Sequence, residues 1–87
     1  MASKVIQSMF DFPAYRKYPN ERNFFKINSE TEFEEVQKIG EQYFHYRIEI
    51  QTYAERLRIQ DMLQKEGGYW LDSSEAEYNF FLGEVEQ

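Results

Sequence analysis

The sequence predicts a small single α+β domain with short strands and three helices. Three observations predict this class: two similar helix-start pentads, one alternating segment, and a composition that is 41% apolar and 18% aromatic over 87 residues. A chain of this length forms one domain and buries roughly 60% of the surface that it exposes when unfolded. We therefore expect one modest core and no large internal cofactor site.

The two pentads are SETEF and SEAEY, which begin at Ser29 and Ser74. Each places a glutamate three residues after the serine, Glu32 in the first and Glu77 in the second. This is the spacing of a capping box, in which the serine oxygen and the glutamate side chain satisfy unpaired backbone N–H groups of the first helical turn. Apolar residues follow each pair at helical spacing. The pattern predicts helices over residues 30–40 and 74–86.

Strands are indicated by short aromatic or aliphatic runs and by strict alternation. The runs NFFKI and GYWL precede the two pentads and predict strands over residues 23–28 and 69–71. Apolar and polar residues alternate through FHYRIEIQT, which predicts a half-buried strand over residues 43–53. The segment AERLRIQDMLQKEGG that follows predicts a helix over residues 54–66, with Gly67 at its C-terminal cap.

A second interpretation of the middle of the chain is a mainly α fold. Apolar residues between Val36 and Leu57 also recur at steps of three and four, so residues 30–66 could form one long helix with a heptad seam. That helix would contain Gly40 and would leave Phe44 and Ile48 off its seam. The strand interpretation is preferred for these reasons.

Charge divides the chain into a basic arm and an acidic body. Residues 1–28 carry five bases against two acids, whereas residues 29–87 carry five bases against fourteen acids. Residues 1–22, which include Pro13 and Pro19, are predicted to form an irregular basic arm, and residues 23–87 the α+β domain. Charge of opposite sign on two parts of a small protein can steer different partners to each.

Several classes of site are excluded or not supported by composition. The chain has no cysteine, so it has no disulfide, thiolate nucleophile or cysteine zinc site. No apolar run approaches the length of a membrane span and no secretory signal is evident, so a cytoplasmic location is expected. His45 is the single histidine, and no tuned second group accompanies it in the sequence. We therefore expect no enzymatic activity, no cofactor and no metal.

A resemblance extends over about the last three-quarters of the chain. The segment YRKYPNERNFFKINSETEFEEVQKIG, the helix-like RLRIQDMLQ and the late YWLDSSEAEY resemble small accessory proteins encoded by phages and prophages. The resemblance implies a compact, acidic, non-enzymatic protein that binds and blocks a host or defence component in the host cytoplasm. It assigns no role to any residue.

Two hypotheses of function follow from the charge division. In the first, the acidic body binds and blocks or modulates a basic host or defence protein. Its candidate contacts are Glu30, Glu34, Glu35, Glu75 and Glu77. In the second, the chain is an oligomeric protein that binds or sequesters a nucleotide on the basic arm, where cations would contact phosphate and aromatic rings would stack. Its candidate contacts are Tyr15, Arg16, Lys17, Tyr18 and Arg22. Binding of long nucleic acid is not favoured at a net charge of −6, and a homo-oligomer is left open.

Overall fold

A five-stranded antiparallel sheet and two α-helices form the fold. The fold is described here from a computed structural model for residues 10–85. A short 3₁₀ turn lies at Glu66–Gly68. The strands are β1 (Ala14–Lys17), β2 (Asn23–Ser29), β3 (Glu32–Ile39), β4 (Gln42–Glu49) and β5 (Leu71–Asp72), and the helices are α1 (Tyr53–Gln64) and α2 (Glu75–Leu82).

The first four strands follow one another as hairpins, and the fifth returns to the opposite side. The strand order is β4-β3-β2-β1-β5, and every neighbouring pair is antiparallel. Helix α1 connects β4 to β5 across the sheet, and α2 follows β5. The sheet therefore has two edges, β4 and β5.

The turn between β3 and β4 fixes the register of the hairpin. Ile39 pairs with Gln42, so the loop is the two residues Gly40 and Glu41. Gly40 has φ of 63°, and a glycine with positive φ at the first loop position is typical of a type II′ turn. This turn matches the twist of the flanking strands, because the primed turn types share the right-handed twist of a hairpin.

One face of the sheet, the α1 face, carries the larger core. Residues of α1 pack there against β2 and β3, and Trp70 completes the cluster. The fully or nearly fully buried members are Phe25, Ile27, Phe33, Ile59, Met62, Leu63 and Trp70. Aromatic rings provide much of the contact: Tyr18 lies 4.8 Å from Trp70 and 5.3 Å from Phe25 between ring centroids.

The opposite face, the α2 face, carries a smaller aromatic core. Tyr78 of α2 is buried against Phe24 and Val36, and Phe81 stacks on Phe24 with ring centroids 4.1 Å apart. Burial raises the pKa of the Tyr78 hydroxyl, and the negative charges of nearby Glu34 and Glu35 act in the same direction. This phenol therefore stays neutral. The sheet is thus covered by one helix on each face.

The predicted arrangement of three helices is wrong, because residues 30–40 form a turn and β3 instead of a helix. Phe33 and Val36 are both fully buried, but they lie on opposite faces: Phe33 belongs to the core under α1, and Val36 to the core under α2. A strand buried on both faces places apolar residues three apart on opposite sides, which resembles helical spacing in the sequence. The alternative long helix over residues 30–66 is wrong for the same reason.

The two pentads have different structures. Ser29 accepts a hydrogen bond from the N–H of Thr31 in the β2–β3 turn, so it does not cap a helix. Ser74 is the N-cap of α2 and accepts from the N–H of Glu77 at 3.1 Å. The reciprocal capping box occurs elsewhere, between Thr52 and Glu55 at the start of α1.

Most other predicted elements are present with shifted ends. The predicted strands 23–28 and 43–53 are found as β2 and β4, and the predicted helices 54–66 and 74–86 are found as α1 and α2. The predicted strand 69–71 shares only Leu71 with β5. The C-terminal cap of α1 is Lys65, which has φ of 56°, and not Gly67 as predicted. The predicted irregular arm contains β1, and residues 1–9 of that arm lie outside the described part of the chain.

Candidate functional site

The outer edge of β4 is the longest open edge of the sheet. β4 has eight residues, and within residues 10–85 no strand pairs with its outer side. The N–H of Lys38 in β3 donates to the carbonyl of Arg22 on the β2 side, so the odd-numbered residues of β3 direct their backbone groups toward β4. Their partners are the even-numbered residues of β4, which therefore direct their backbone groups toward β3, and the N–H of Ile50 bonded to Thr31 continues this pattern. The backbone groups of Tyr43, His45 and Arg47 therefore face outward, where an added strand could bind them.

Exposed aromatic side chains flank this edge on the α1 face. Phe44 and Tyr46 are 37% and 42% exposed, and they lie on the same side of β4 as Gln42. Helix α1 packs over β1, β2 and Phe33 of β3, and it leaves Phe44 and Tyr46 at this corner of the sheet exposed. Large aromatic residues beside an open edge are typical of surfaces that bind other chains.

An open groove of about 720 Å³ runs along the same edge. Residues 41–46 form one side, and Leu82, Glu84 and Val85 at the end of α2 form the other. Leu82 and Val85 also pack against the smaller core, so the wall of the groove is anchored to the sheet. Glu41 and Glu84 add negative charge to its rim. The groove is wide enough for side chains of a strand that binds the β4 edge.

A polar cluster holds the middle of β4 to the sheet on the α2 face. Glu34 of β3 accepts hydrogen bonds from Asn28 Nδ2 and from His45 Nε2, both at 2.8 Å. Burial acts to raise the pKa of Glu34, but the hydrogen bonds from Asn28 and His45 outweigh it and hold the pKa below its usual value. Nearby, Arg47 donates to Glu32. His45 is therefore part of a structural network that fixes β4.

Arg16, predicted as a phosphate contact, is used inside the fold. Its guanidinium donates to the carbonyl oxygens of Met62, Leu63 and Tyr15 at 2.8–3.0 Å, and it forms an ion pair with Asp72 at 3.4 Å. Met62 and Leu63 lie in the last turn of α1, where carbonyl groups lack the N–H donors of a following turn, although Met62 O also accepts from the N–H of Lys65 at 3.4 Å. Arg16 thus caps α1 and ties it to β1 and β5.

The other predicted arm residues are distributed over both faces. Lys17 forms ion pairs with Glu21 and Glu77, both at 3.1 Å, and the hydrogen bonds that it donates to Glu77 and then to Glu21 raise its pKa. Tyr15 lies against Tyr78 and Tyr18 against Trp70. Among the three cations predicted as phosphate contacts, only Arg22 is exposed. The structure therefore does not bring these residues to one concave surface.

The five predicted acidic contacts also lie at separate places. Glu34 is on the α2 face, whereas Glu35 is on the α1 face and accepts from Asn23 Nδ2 at 2.7 Å. Glu75 and Glu77 lie at the start of α2, and Glu30 lies in the β2–β3 turn. Ser73 and Lys17 bind the Glu77 carboxylate; the Ser73 bond contributes most to holding its pKa below the usual value.

The open edge itself was not predicted as a site. The alternating pattern predicted the strand, but the position of β4 at the end of the sheet depends on strand order, which local patterns do not contain. One local signal was present: aromatic residues occur on both sides of the strand, with Tyr43 on the side that otherwise carries polar residues and Phe44 and Tyr46 on the other. A strand with large rings on both faces and charges between them is typical of an interaction surface.

Comparisons with protein families, with curated proteins and with solved structures found no match to this chain. In the described part of the chain, no group of three histidine, aspartate or glutamate side chains is placed to hold a metal ion. Neither of the two helices is long and apolar enough to cross a membrane.

Proposed function

We propose that this protein is a small non-enzymatic interaction domain that binds an extended segment of another protein as an additional strand along β4. The observation that carries the proposal is the eight-residue open edge beside a groove. Strand addition of this kind uses backbone hydrogen bonds for affinity and alternate side chains for specificity. Binding would occlude the captured segment and so block or modulate the partner.

The two sides of the edge offer different contacts to such a segment. On the α1 face, Phe44 and Tyr46 provide exposed aromatic surface for apolar side chains. On the α2 face, side chains of the segment would enter the groove beside Leu82 and Val85. Because β-strand side chains alternate between the two faces of a sheet, one alternate set of residues in the segment would contact Phe44 and Tyr46, and the other set would enter the groove.

The charge of the groove favours a basic partner. Glu41 and Glu84 lie at the turn end of the groove, and the whole chain has a net charge of −6. A lysine or arginine near that end of the segment would pair with these carboxylates, and the overall field would speed its approach. We infer a basic host or defence protein in the host cytoplasm, which agrees with the resemblance to phage accessory proteins.

The nucleotide hypothesis has less support from the geometry. Arg16 and Lys17 already bind backbone carbonyls and carboxylates of the fold, so a phosphate would have to compete with these contacts. Tyr15 and Tyr18 are packed against other rings and do not present open faces together. We therefore place the function at the β4 edge.

A pair of substitutions at one position tests strand addition. His45→Pro removes an outward backbone N–H, whereas His45→Ala removes the same side chain and keeps that N–H. Random peptides long enough to span β4 would be selected by display against the wild-type protein and then measured by amide chemical shifts and titration. We expect perturbed amides at the outward residues of β4 and at least about tenfold weaker binding to the proline variant than to the alanine variant.

The alanine variant is the matched control, because both substitutions lose the hydrogen bond to Glu34. Thermal unfolding of the two variants checks that each remains folded. Equal affinity of both variants for the selected peptides would contradict strand addition at β4. Selected peptides that perturb only amides of α1 or β5 would contradict it as well.

A further inference from the structure

The outer edge of β4 is complementary to a second copy of itself. Residues 41–47 read Glu-Gln-Tyr-Phe-His-Tyr-Arg, with an acid at one end, a base at the other and Phe44 in the middle. When two such strands run antiparallel, the acid of each lies near the base of the other. We propose that the free protein forms a two-fold dimer in which the β4 strands of two copies pair antiparallel about Phe44. This proposal uses the same open edge as the proposed function but does not depend on it.

The backbone is arranged for this pairing. A two-fold axis perpendicular to the sheet would join two five-stranded sheets edge to edge and would keep the α1 faces on one side. Pairing about Phe44 places Tyr43 opposite His45 of the second copy, and both residues have outward-facing backbone groups. Residues that face each other in this way exchange both backbone hydrogen bonds, so the two symmetric pairs form about four of them.

Side chains on the α1 face also complement one another in this register. Phe44 would lie beside Phe44 of the second copy at the axis, and Tyr46 would lie beside Gln42 on either side. Phe44 and Tyr46 are the exposed rings of this strand, so pairing would cover part of both. Cross-strand aromatic pairs are among the more stabilising contacts of a sheet.

Charge complementarity selects this register among its neighbours. Pairing about Phe44 places Glu41 beside Arg47 of the second copy at both ends. Pairing about His45 would instead place Glu41 opposite Glu49, and pairing one residue further along would place Arg47 opposite His45. Arg47 has 65% of its side chain exposed despite its bond to Glu32, so it is accessible to a second carboxylate. Of these three registers, only the one about Phe44 brings opposite charges together at both ends.

The interface is small, so the dimer is a weak one. It involves seven residues of one edge on each copy, and interfaces that bury less than about 1,000 Å² belong to weak or transient complexes. Two copies that each carry a charge of −6 also repel each other at long range. We therefore expect a dimer that depends on protein concentration and that forms more readily as salt screens this repulsion. A peptide bound along β4 would displace it.

Charge reversal provides the test. Glu41→Arg and Arg47→Glu each turn both end pairs into like charges, and we expect each variant to dimerise about 30-fold more weakly than the wild type. An equimolar mixture of the two variants restores both pairs, because each arginine of one copy meets a glutamate of the other. Sedimentation equilibrium of the wild type, each variant, the mixture and the double variant measures these association constants. We expect the mixture and the double variant to associate as tightly as the wild type.

Arg22→Glu is the matched control, since it makes the same charge change at an exposed arginine away from the edge. It should weaken association only by the added long-range repulsion, and so far less than Arg47→Glu does. Arg47→Glu also loses the bond to Glu32; if that variant and the double variant unfold, the single variant Glu41→Arg still decides, because an association constant equal to that of the wild type would overturn the proposal. A wild type that stays monomeric at millimolar concentration, or reversals that the mixture does not rescue, would overturn the proposal. Retained peptide binding by a monomeric wild type would leave the proposed function standing.

Discussion

The two edges of the sheet differ in length and in how side chains secure them. β5 pairs only through Leu71 and Asp72, and the chain then turns away with the N–H of Ser73 bonded to Tyr15. β4 has eight residues, and its outer backbone groups are open. Short edge strands resist pairing with other chains, whereas long exposed ones invite it. This fold therefore has one short edge that side-chain contacts secure and one long edge whose outer backbone groups are open.

Arg16 is the residue that secures the β5 edge. Its guanidinium is 11% exposed and donates to three carbonyl groups while it pairs with Asp72. Arg16→Ala would leave the buried carbonyls of Met62 and Leu63 without these donors, so we expect a loss of about 3 kcal/mol in the free energy of unfolding. Urea unfolding monitored by Trp70 fluorescence measures it. This is the largest effect that we expect at either edge.

Arg47 at the open edge is expected to contribute much less to stability than Arg16. Arg47 lies on the surface and binds Glu32 alone, so Arg47→Ala should leave the unfolding transition essentially unchanged. Arg16→Lys should recover part of the loss, because an ammonium keeps the charge but cannot reach three carbonyls in the guanidinium geometry. Equal losses for alanine at both positions would show that the two edges are secured alike and would contradict the comparison.

Hydrogen bonds to Glu34 connect β4, the open-edge strand, to the rest of the sheet. It joins β4 to β2 and β3 by accepting from His45 and Asn28. We expect Glu34→Gln to lower the free energy of unfolding by about 1–2 kcal/mol near pH 7, since it weakens two charge-assisted hydrogen bonds. The loss is smaller than that of Arg16→Ala because this face is partly hydrated. Urea unfolding of both proteins at a series of pH values measures it.

The pH dependence of this effect has a definite sign. The pKa of Glu34 is lower in the folded protein than its ordinary value of 4.5, so near pH 4 the unfolded chain binds more protons. The stabilisation by Glu34 is therefore complete above that value and is lost as pH falls through the lower folded pKa. The difference between wild type and Glu34→Gln should shrink below about pH 4. Glu77, whose pKa is lowered in the same direction, remains in both proteins. A difference that grows on acidification would contradict this assignment.

Sequence reasoning succeeded where one local pattern determined the element. Strict alternation indicated β4, the apolar spacing of Ile59, Met62 and Leu63 indicated α1, and Ser74 indicated the start of α2; all three elements are present. It failed for β3, because burial on both faces of a strand removes the alternation that identifies strands. It also missed β1, whose residues are all half-buried and include two charged side chains with partners distant in sequence.

The candidate site was less predictable than the fold for a related reason. Whether Arg16 contacts a ligand or a helix end depends on contacts 46 and 47 residues away along the chain. Whether β4 is an edge depends on where β5 joins the sheet, which is a property of the topology as a whole. Local charge patterns therefore identified residues with strong interactions but could not distinguish internal partners from external ones.

The smallest expected effects concern the two helix starts, one after each edge. Ser74 caps α2 after β5, and Thr52 caps α1 after β4. Alanine at either position should lower the free energy of unfolding by about 1 kcal/mol, and glycine by less, because one backbone N–H loses its acceptor. Ser29→Ala is the matched control, since Ser29 lies in a turn and should cost under about 0.5 kcal/mol. Thermal unfolding of the three alanine variants measures the differences. Similar losses at Ser74 and Thr52 would mean that the two caps stabilise their helices equally, so that only the outer backbone of β4 distinguishes the open edge. A loss at Ser29 as large as that at Ser74 would contradict the turn assignment.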